Sequence, residues 1–262
     1  MTVKVNYDVS VVLALNKIDK YAFGAIDSVV CQQDVNHEVI LVSNGSQANS
    51  IYESLYERYQ DNCNVKILVT SIPQLSFSLN LGVSEASANY IARMDADDIA
   101  MPDRLSKQLN FMLQNGLDLL GTDVFLINED GEVTGDRIYP KTKKSINKRL
   151  AHSSPFCHPS VMYTKQLFYK ARGYNAGFNS EDYDLWLRCM RFQPNWDNMP
   201  DRLLKYRIHS AASQGSILAY CEVSSHFMRE LLLKFSFRMF MGCCIAIFKT
   251  VYFKFKDGMK KK

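Results

Sequence analysis

The chain lacks the short signatures of several common enzyme chemistries. It has no GxSxG, no Walker A loop, no GxGxxG and no HExxH. That removes the sequence cues for serine hydrolases, P-loop NTPases, Rossmann dehydrogenases and zincins. Its seven cysteines (Cys31, Cys63, Cys157, Cys189, Cys221, Cys243 and Cys244) include no CxxC pair, and their number is odd. Neither a zinc site nor a disulfide framework is expected. Reduced thiols serving as small core residues in a cytoplasmic protein are. Met1 to Ser10 holds no apolar run, so no signal peptide is expected. Internal repeats and low-complexity tracts are missing as well. A mean hydropathy of −0.17 argues against a multi-span membrane protein.

What is present is a globular composition, 47% hydrophobic and 22% charged, in 262 residues. That is enough to bury a full core and to exclude disorder as the main character. The net charge of +4 is unevenly spread. Residues 231–262 hold eight Lys or Arg and one Asp, which leaves the remainder mildly acidic. A nucleic-acid-binding body would carry a basic face of its own, so no nucleic-acid partner is expected. A basic, apolar tail points instead to an anionic membrane surface.

Apolar runs alternate with helical periodicity through the first half. Val9–Leu15, Glu38–Val42, Val65–Val69 and Tyr90–Met94 read as strands, the first buried on both faces. Stretches 21–32, 48–60 and 75–88 read as helices, and Ser43-Asn44-Gly45-Ser46 as a turn. This rhythm predicts an α/β fold with a mostly parallel sheet and helices on both faces. Further on, Arg104–Leu113 reads as helix, 118–127 as strand and Glu129-Asp130-Gly131 as turn. Lys141–Lys148 is the best internal loop candidate, a solvated basic linker.

Three constellations stand out. Met94-Asp95-Ala96-Asp97-Asp98 puts three carboxylates straight after a buried strand. Such crowding is costly unless something cationic sits among them. At the carboxyl end of a parallel strand they would face the ligand crevice, where hard oxygens suit Mg²⁺ or Mn²⁺. The competing reading is a capping cluster for the helix after Pro102. Ser180-Glu181-Asp182-Tyr183 is either the acidic start of a helix or a general base held there. His209, in Tyr206-Arg207-Ile208-His209, is by itself as compatible with a structural role as with a ligand's.

Taken in order, these pieces, with Val42–Ser46 before them and His158-Pro159-Ser160-Val161-Met162 between, resemble the family 2 glycosyltransferases of the GT-A fold. Bacterial enzymes of O-antigen and other surface-polysaccharide assembly are the most similar. The resemblance spans residue 9 to about residue 215. It implies a nucleotide-diphospho-sugar transferase sheet, mixed but mostly parallel, in a domain over 1–215. It also implies an inverting, metal-dependent hexosyltransferase using a nucleotide sugar, with uridine as the expected base. Asp95 and Asp97 match the DxD motif that holds Mg²⁺ or Mn²⁺ against the donor pyrophosphate, with Asp98 alongside. Asp182 matches the base, with Glu181 its neighbour, and His209 the C-terminal histidine that can complete metal or phosphate binding, counted here with the metal ligands. Ala14, Ser43, Asn44 and Asn80 fall on the donor side, with Gly82 in the same segment as Asn80. Two departures touch the nucleotide end. The first strand is followed by Asn16-Lys17 rather than a Tyr-Asn pair, and Ser43-Asn44 stands where two aspartates are usual.

The alternatives differ in what they require. A nucleotidyltransferase would need a Gly-rich, basic loop that residues 13–24 lack. A glycoside hydrolase would need two carboxylates but no nucleotide crevice. A non-catalytic nucleotide-sugar-binding or interaction module on the same fold is kept open by Ser43 and Asn44. Segment 216–262 reads as amphipathic helices. Wound as one helix, residues 231–255 would gather Lys234, Arg238, Lys249 and, beyond them, Lys256 within roughly 60°. The longest uncharged run there, Met239–Phe248, is too short to span a bilayer. Peripheral attachment to the inner face of the cell membrane is therefore expected, and it suits an acceptor linked to undecaprenyl diphosphate. Packing on the domain or on a second copy is the competing reading.

Overall fold

The structure is a computed structural model that describes residues 6–175, 177, 179–209 and 217–260, without the side chains of 256–260. Lys256 and Lys260-Lys261-Lys262, as side chains, lie outside that set, as does the expected boundary at 215/216.

Four strands form the parallel block. They are β1 (Val9–Leu15), β2 (His37–Asn44), β3 (Val65–Thr70) and β4 (Tyr90–Met94), in the order β3-β2-β1-β4. The β-branched, apolar sequence of β1 suits its central position. Val11 and Leu13 enter the core on one face of the sheet, and Val12 the core on the other. Helices α1 (Ala22–Val30), α2 (Ala48–Tyr59) and α3 (Leu75–Glu85) make the crossovers. The chain runs outward from β1 to β3 and then returns to β4 on the other flank of β1. The carboxyl ends of β1 and β4 thus lie at a topological switch point, where open α/β sheets bind ligands.

The sheet continues with β5 (Ile99–Ala100), β6 (Leu119–Ile127), β7 (Val133–Arg137), β8 (Met162–Thr164) and β9 (Trp196–Arg207). Strand β8 pairs antiparallel with both β4 and β6, whereas β6 and β9 run parallel. The sheet is mixed, and parallel pairing is confined to the first block and to β6–β9. Helix α4 (Arg104–Asn115) ends on Gly116 at φ 57°, a left-handed stop that glycine adopts without strain. Arg104, fully buried, donates through Nη2 to the Arg93 carbonyl (2.9 Å) and through Nε to Gln108 (3.0 Å).

Several expectations change. Lys141–Lys148 is not a loop, because 143–149 folds as α5 (Lys143–Arg149), pinned by the buried Ile146. Helix α6 (Lys165–Lys170) and strands β5, β7 and β9 were not foreseen. The tail is helical as expected, but residues 231–255 are not one helix. They divide between α8 (Ile217–Leu233) and α9 (Phe237–Lys260), so Lys234 in the break leaves the expected cationic face, while Arg238 and Lys249 remain together on α9. The two helices run back along each other. Tyr220 stacks on Phe253 at 5.2 Å, and Cys243 Sγ lies 3.7 Å from the Ser224 carbonyl. Packing is what favours the hairpin. Phe227, Met239, Cys243 and Ala246 are all buried in the core shared with α7 (Glu181–Met190). Gly242 lets the helices close, because a Cβ there would meet the Ala151 carbonyl oxygen at 2.3 Å and the Phe227 ring at 2.8 Å. All seven cysteines are free thiols.

Candidate active site

Strand β4 carries a charge in its interior. Arg93 is 3% exposed, and its Nη1 forms an ion pair with Asp95. Burial works against that charge, but Asp95 and, further off, Asp98 hold the guanidinium firmly protonated. Beyond the strand, Asp95, Asp97 and Asp98 each bring a carboxylate oxygen within 4.8 Å of the others. They do not cap the next helix, which begins at Arg104 with Asp103 flanking it. Asp98 is fully buried. Its Oδ1 accepts from the Arg207 amide (2.8 Å), and its Oδ2 has no hydrogen-bond partner among the described residues. Burial first, then the charges of Asp95 and Asp97, raises the Asp98 carboxyl well above the usual range.

The last residues of β9 return to this cluster. His209 Nε2 lies 2.7 Å from Asp97 Oδ2, across 112 positions of sequence. Arg207 donates from Nε to the Asp97 carbonyl (2.8 Å), and its guanidinium lies 4.1 Å above the Tyr21 ring. Burial, then Asp95, raises Asp97, and His209 works against that rise. Two of the three carboxyls are thus raised, by burial first and by crowding second, and a buried carboxylate oxygen is left without a partner among the described residues. A donor set of carboxylate oxygens and one imidazole fits a divalent cation of the Mg²⁺ or Mn²⁺ kind.

Helix α7 supplies the second carboxylate pair. Glu181 and Asp182 form its first turn, half-buried, on the wall of a cavity of about 610 Å³ that Arg93 and Asp95 also line. Burial, then the charge of Asp182, pushes Glu181 up to about 7. Burial also raises Asp182, which the backbone amide of Tyr183 and the charge of Arg93 partly oppose. Ser154 Oγ lies 3.5 Å from Asp182 Oδ2. A third member of this group is His158, which shares a 2.7 Å hydrogen bond with the Tyr174 hydroxyl. Burial and then Arg93 hold its imidazole well below its ordinary pKa, so it stays neutral.

Helix α7 is fixed from behind. Asp184, buried in the same helix, accepts from Arg188 Nε (2.8 Å) and Arg229 Nη1 (2.6 Å). Arg229 belongs to α8, as does Glu222, whose carboxylate accepts from Ser180 Oγ (2.8 Å) at the start of α7.

The expected donor-side residues lie apart from the cavity wall. Ser43 and Asn44 end β2 and are buried. The Ser43 hydroxyl donates to the Leu68 carbonyl (3.1 Å) and the Asn44 amide to the Leu15 carbonyl (3.0 Å). Ala14 is near the end of β1, half-buried. Asn80 uses both ends of its amide on the Tyr174 backbone (2.7 and 2.9 Å), which positions the ring that meets His158. Gly82 lets α3 lie against β1, since a Cβ there would meet Val12 at 2.4 Å. The residue that sequence reasoning passed over is Arg93. Its signal was plain, because a cation inside a strand buried on both faces must have a partner.

A family profile, Glycosyl transferase family 2, matches residues 11–173. The O-antigen biosynthesis glycosyltransferase WbnJ of Escherichia coli is 42% identical over 95% of this chain and all of that protein. The UDP-Gal:alpha-D-GlcNAc-diphosphoundecaprenol beta-1,3-galactosyltransferase of Escherichia coli is 31% identical over 78% of this chain and 77% of its own. Among solved structures, S. aureus TarS 1-349 in complex with UDP-GlcNAc superposes with a TM-score of 0.69. At 15% identity, over 86% of this chain and 66% of that one, the likeness is one of fold.

Replacing Arg93 alone would leave the carboxylates around it uncompensated. Arg93→Met should cost on the order of 3 kcal/mol of unfolding free energy at pH 8. Without the cation these carboxyls bind protons more tightly folded than unfolded, so the deficit should shrink as the pH falls toward 5. Urea unfolding at the two pH values checks this, and an equal deficit at both would contradict it.

Proposed function

The chain belongs to glycosyl transferase family 2, and from that premise we propose that it transfers a sugar from a nucleoside-diphosphate donor, UDP-linked, to a lipid-linked saccharide during O-antigen or related polysaccharide assembly. The observation that carries the reading is the single cavity lined by Asp95 and by the Glu181–Asp182 pair. A carboxylate cluster fit for a divalent cation and a candidate base share one wall. The substrates named for the galactosyltransferase relative, UDP-Gal and a diphosphoundecaprenol-linked sugar, support the donor and acceptor classes. The UDP-GlcNAc complex on the same fold supports the donor.

Asp95, Asp97, Asp98 and His209 would hold Mg²⁺ or Mn²⁺. The cation supplies Lewis-acid stabilisation to the departing nucleoside diphosphate. The nucleotide lies toward the carboxyl ends of β1 and β2, near Ala14, Ser43 and Asn44, while Asn80 acts through Tyr174. Asp182 accepts the proton of the acceptor hydroxyl as its oxygen bonds to the anomeric carbon. The bond from that carbon to the phosphate oxygen breaks in the same displacement, so the configuration inverts. The raised carboxyls of Glu181 and Asp182 bring the base's affinity for a proton closer to the working pH, which favours proton transfer. Arg93 stands by to keep the pair chargeable.

The division into a catalytic unit over 1–215 and a membrane-facing segment over 216–262 is part of the same proposal. The α8–α9 hairpin packs one side on the body and exposes a large apolar surface on the other. Leu232 (84%), Phe235 (73%), Phe237 (70%), Phe248 (69%) and Phe255 (70%) are open to solvent. A patch of this kind marks an interaction surface. Among the described residues no helix is long and apolar enough to cross a membrane. The proposed position of the hairpin is on the inner leaflet, with these side chains toward the lipid.

Asp182→Asn should retain Mn²⁺-dependent UDP affinity and lower sugar transfer by at least about 10²-fold. Wild-type turnover should decline toward acid pH as Asp182, whose carboxyl burial raises above its ordinary range, takes up its proton. Calorimetry with UDP, beside a transfer assay over a nucleotide-sugar panel, checks both. Full transfer by Asp182→Asn would remove the base assignment. The membrane proposal has its own measurement, co-sedimentation with vesicles containing anionic lipid at low salt. Phe235→Ser/Phe237→Ser/Phe248→Ser should shift the protein into the supernatant, and unchanged recovery would overturn the attachment surface.

A further inference from the structure

The cavity is lined by groups of both signs. Beside Asp95, Glu181 and Asp182, α5 and the turn after it contribute Arg149 and His152, and α9 contributes Lys249, Ile245 and Ala246. The positive charge contributed by α5 and α9 is concentrated. Burial and then Arg149, Lys249 and Lys148 together hold the His152 imidazole below its ordinary pKa, so the three cations converge on that side chain. Among the described residues neither Arg149 nor Lys249 has a carboxylate partner. The nearby arginines of α7 and α8 do, with Arg188 and Arg229 on Asp184 and Arg191 on Glu230. Lys249 stands instead 5.4 Å from the centre of the Tyr220 ring, an aromatic neighbour that cannot neutralise it.

Beyond Lys249, α9 presents apolar residues to solvent. Phe248, Val251 (48%) and Tyr252 (52%) flank the cation on its own helix. One cavity thus carries carboxylates and unpaired cations, and an exposed apolar face of α9 adjoins the cation Lys249. A ligand complementary to these groups has a sugar hydroxyl at one end, a dense anion next to it and a hydrocarbon chain beyond. We propose that Arg149 and Lys249, with Lys148 beside them, form the subsite for the diphosphate of a lipid-diphosphate-linked acceptor, and that α9 guides its lipid chain toward the membrane. This rests on the transfer reading above and deepens it by naming the chain's own diphosphate ligands. Helix α5, which resembles a linker in sequence, thereby carries Arg149 to the cavity rim.

The test uses the full chain in uncharged detergent with EDTA, so that any metal-dependent nucleotide site is silent. Farnesyl diphosphate, farnesol and inorganic diphosphate are titrated separately by calorimetry. Farnesyl diphosphate should bind at least about tenfold more tightly than either of the others, because only it satisfies both the cations and the apolar face. Arg149→Gln/Lys249→Gln should weaken it by at least about tenfold, while leaving UDP–Mn²⁺ affinity and the melting temperature unchanged. Equal farnesyl diphosphate affinity in wild type and double variant would overturn the proposal. So would inorganic diphosphate binding as tightly as farnesyl diphosphate, which would make the cluster a free-anion site. The outcome is separable from that of the transfer reading. Loss of the Asp182 assignment with the diphosphate result intact removes the base and leaves the lipid subsite standing.

Discussion

The ion pair between Arg93 and Asp95 is the constraint on which the rest of the site depends. Five carboxyl groups, Asp95, Asp97, Asp98, Glu181 and Asp182, gather at the carboxyl end of β4. Asp98, Glu181 and Asp182 all feel the Arg93 charge. Without a fixed cation such a gathering would either protonate or splay apart. A cation on the surface would be screened by water, whereas a buried one acts at lower dielectric. Arg93 is held by its position inside β4, by its ion pair with Asp95 and by Arg104, which donates to the Arg93 carbonyl. One charged residue in an apolar strand thus permits a negative site that remains short of positive charge. That deficit is the physical reason to expect a divalent cation there.

A second dependence runs through α7. Its first turn carries the candidate base, and its later residues bind it to α8. Burial opposes the charge of Asp184, but Arg188 and Arg229 hold its carboxyl below the usual carboxylate range, so it stays ionised. Trp186, fully buried two residues on, packs edge-on against Phe156 at 5.4 Å. The C-terminal hairpin is therefore no appendage. Its Arg229 and Glu222 set the helix that presents Asp182, and its α9 lines the cavity. The proposed attachment surface and the candidate base are linked through Arg229 and Glu222, which bond to Asp184 and Ser180.

Much of the parallel block was legible because strands buried on both faces leave unbroken apolar runs. Val9–Leu15 and Tyr90–Met94 were identified to the residue. Strand β9 was not, because Asp197, Asn198, Asp201 and Arg202 break any alternation. Its buried Asn198 donates through Nδ2 to the Pro140 (2.8 Å) and Pro155 (3.1 Å) carbonyls, a pairing that no local pattern reveals. Helix α5 looked like a linker because its one buried side chain, Ile146, is outnumbered by lysines. Residues 231–255 looked like one helix because periodicity runs through 234–236, where the chain breaks so that Phe227 can pack against Gly242. In the site, the acidic clusters were visible as local crowding. The approach of His209 to Asp97 is a product of β9 and could be expected only from the order of motifs in a resembling family. The cations of α5 and α9 meet only in the folded hairpin.

The central claim is that an Arg93-anchored carboxylate cluster holds a divalent cation for a nucleoside-diphosphate donor. Electron paramagnetic resonance titration of Mn²⁺ into the full chain, with and without UDP, reads this without any acceptor. The account predicts one tightly bound Mn²⁺ per chain when UDP is present, weakened at least about tenfold by Asp97→Asn, as loss of a charged ligand requires. Mn²⁺ binding that is indifferent both to UDP and to Asp97→Asn would contradict it.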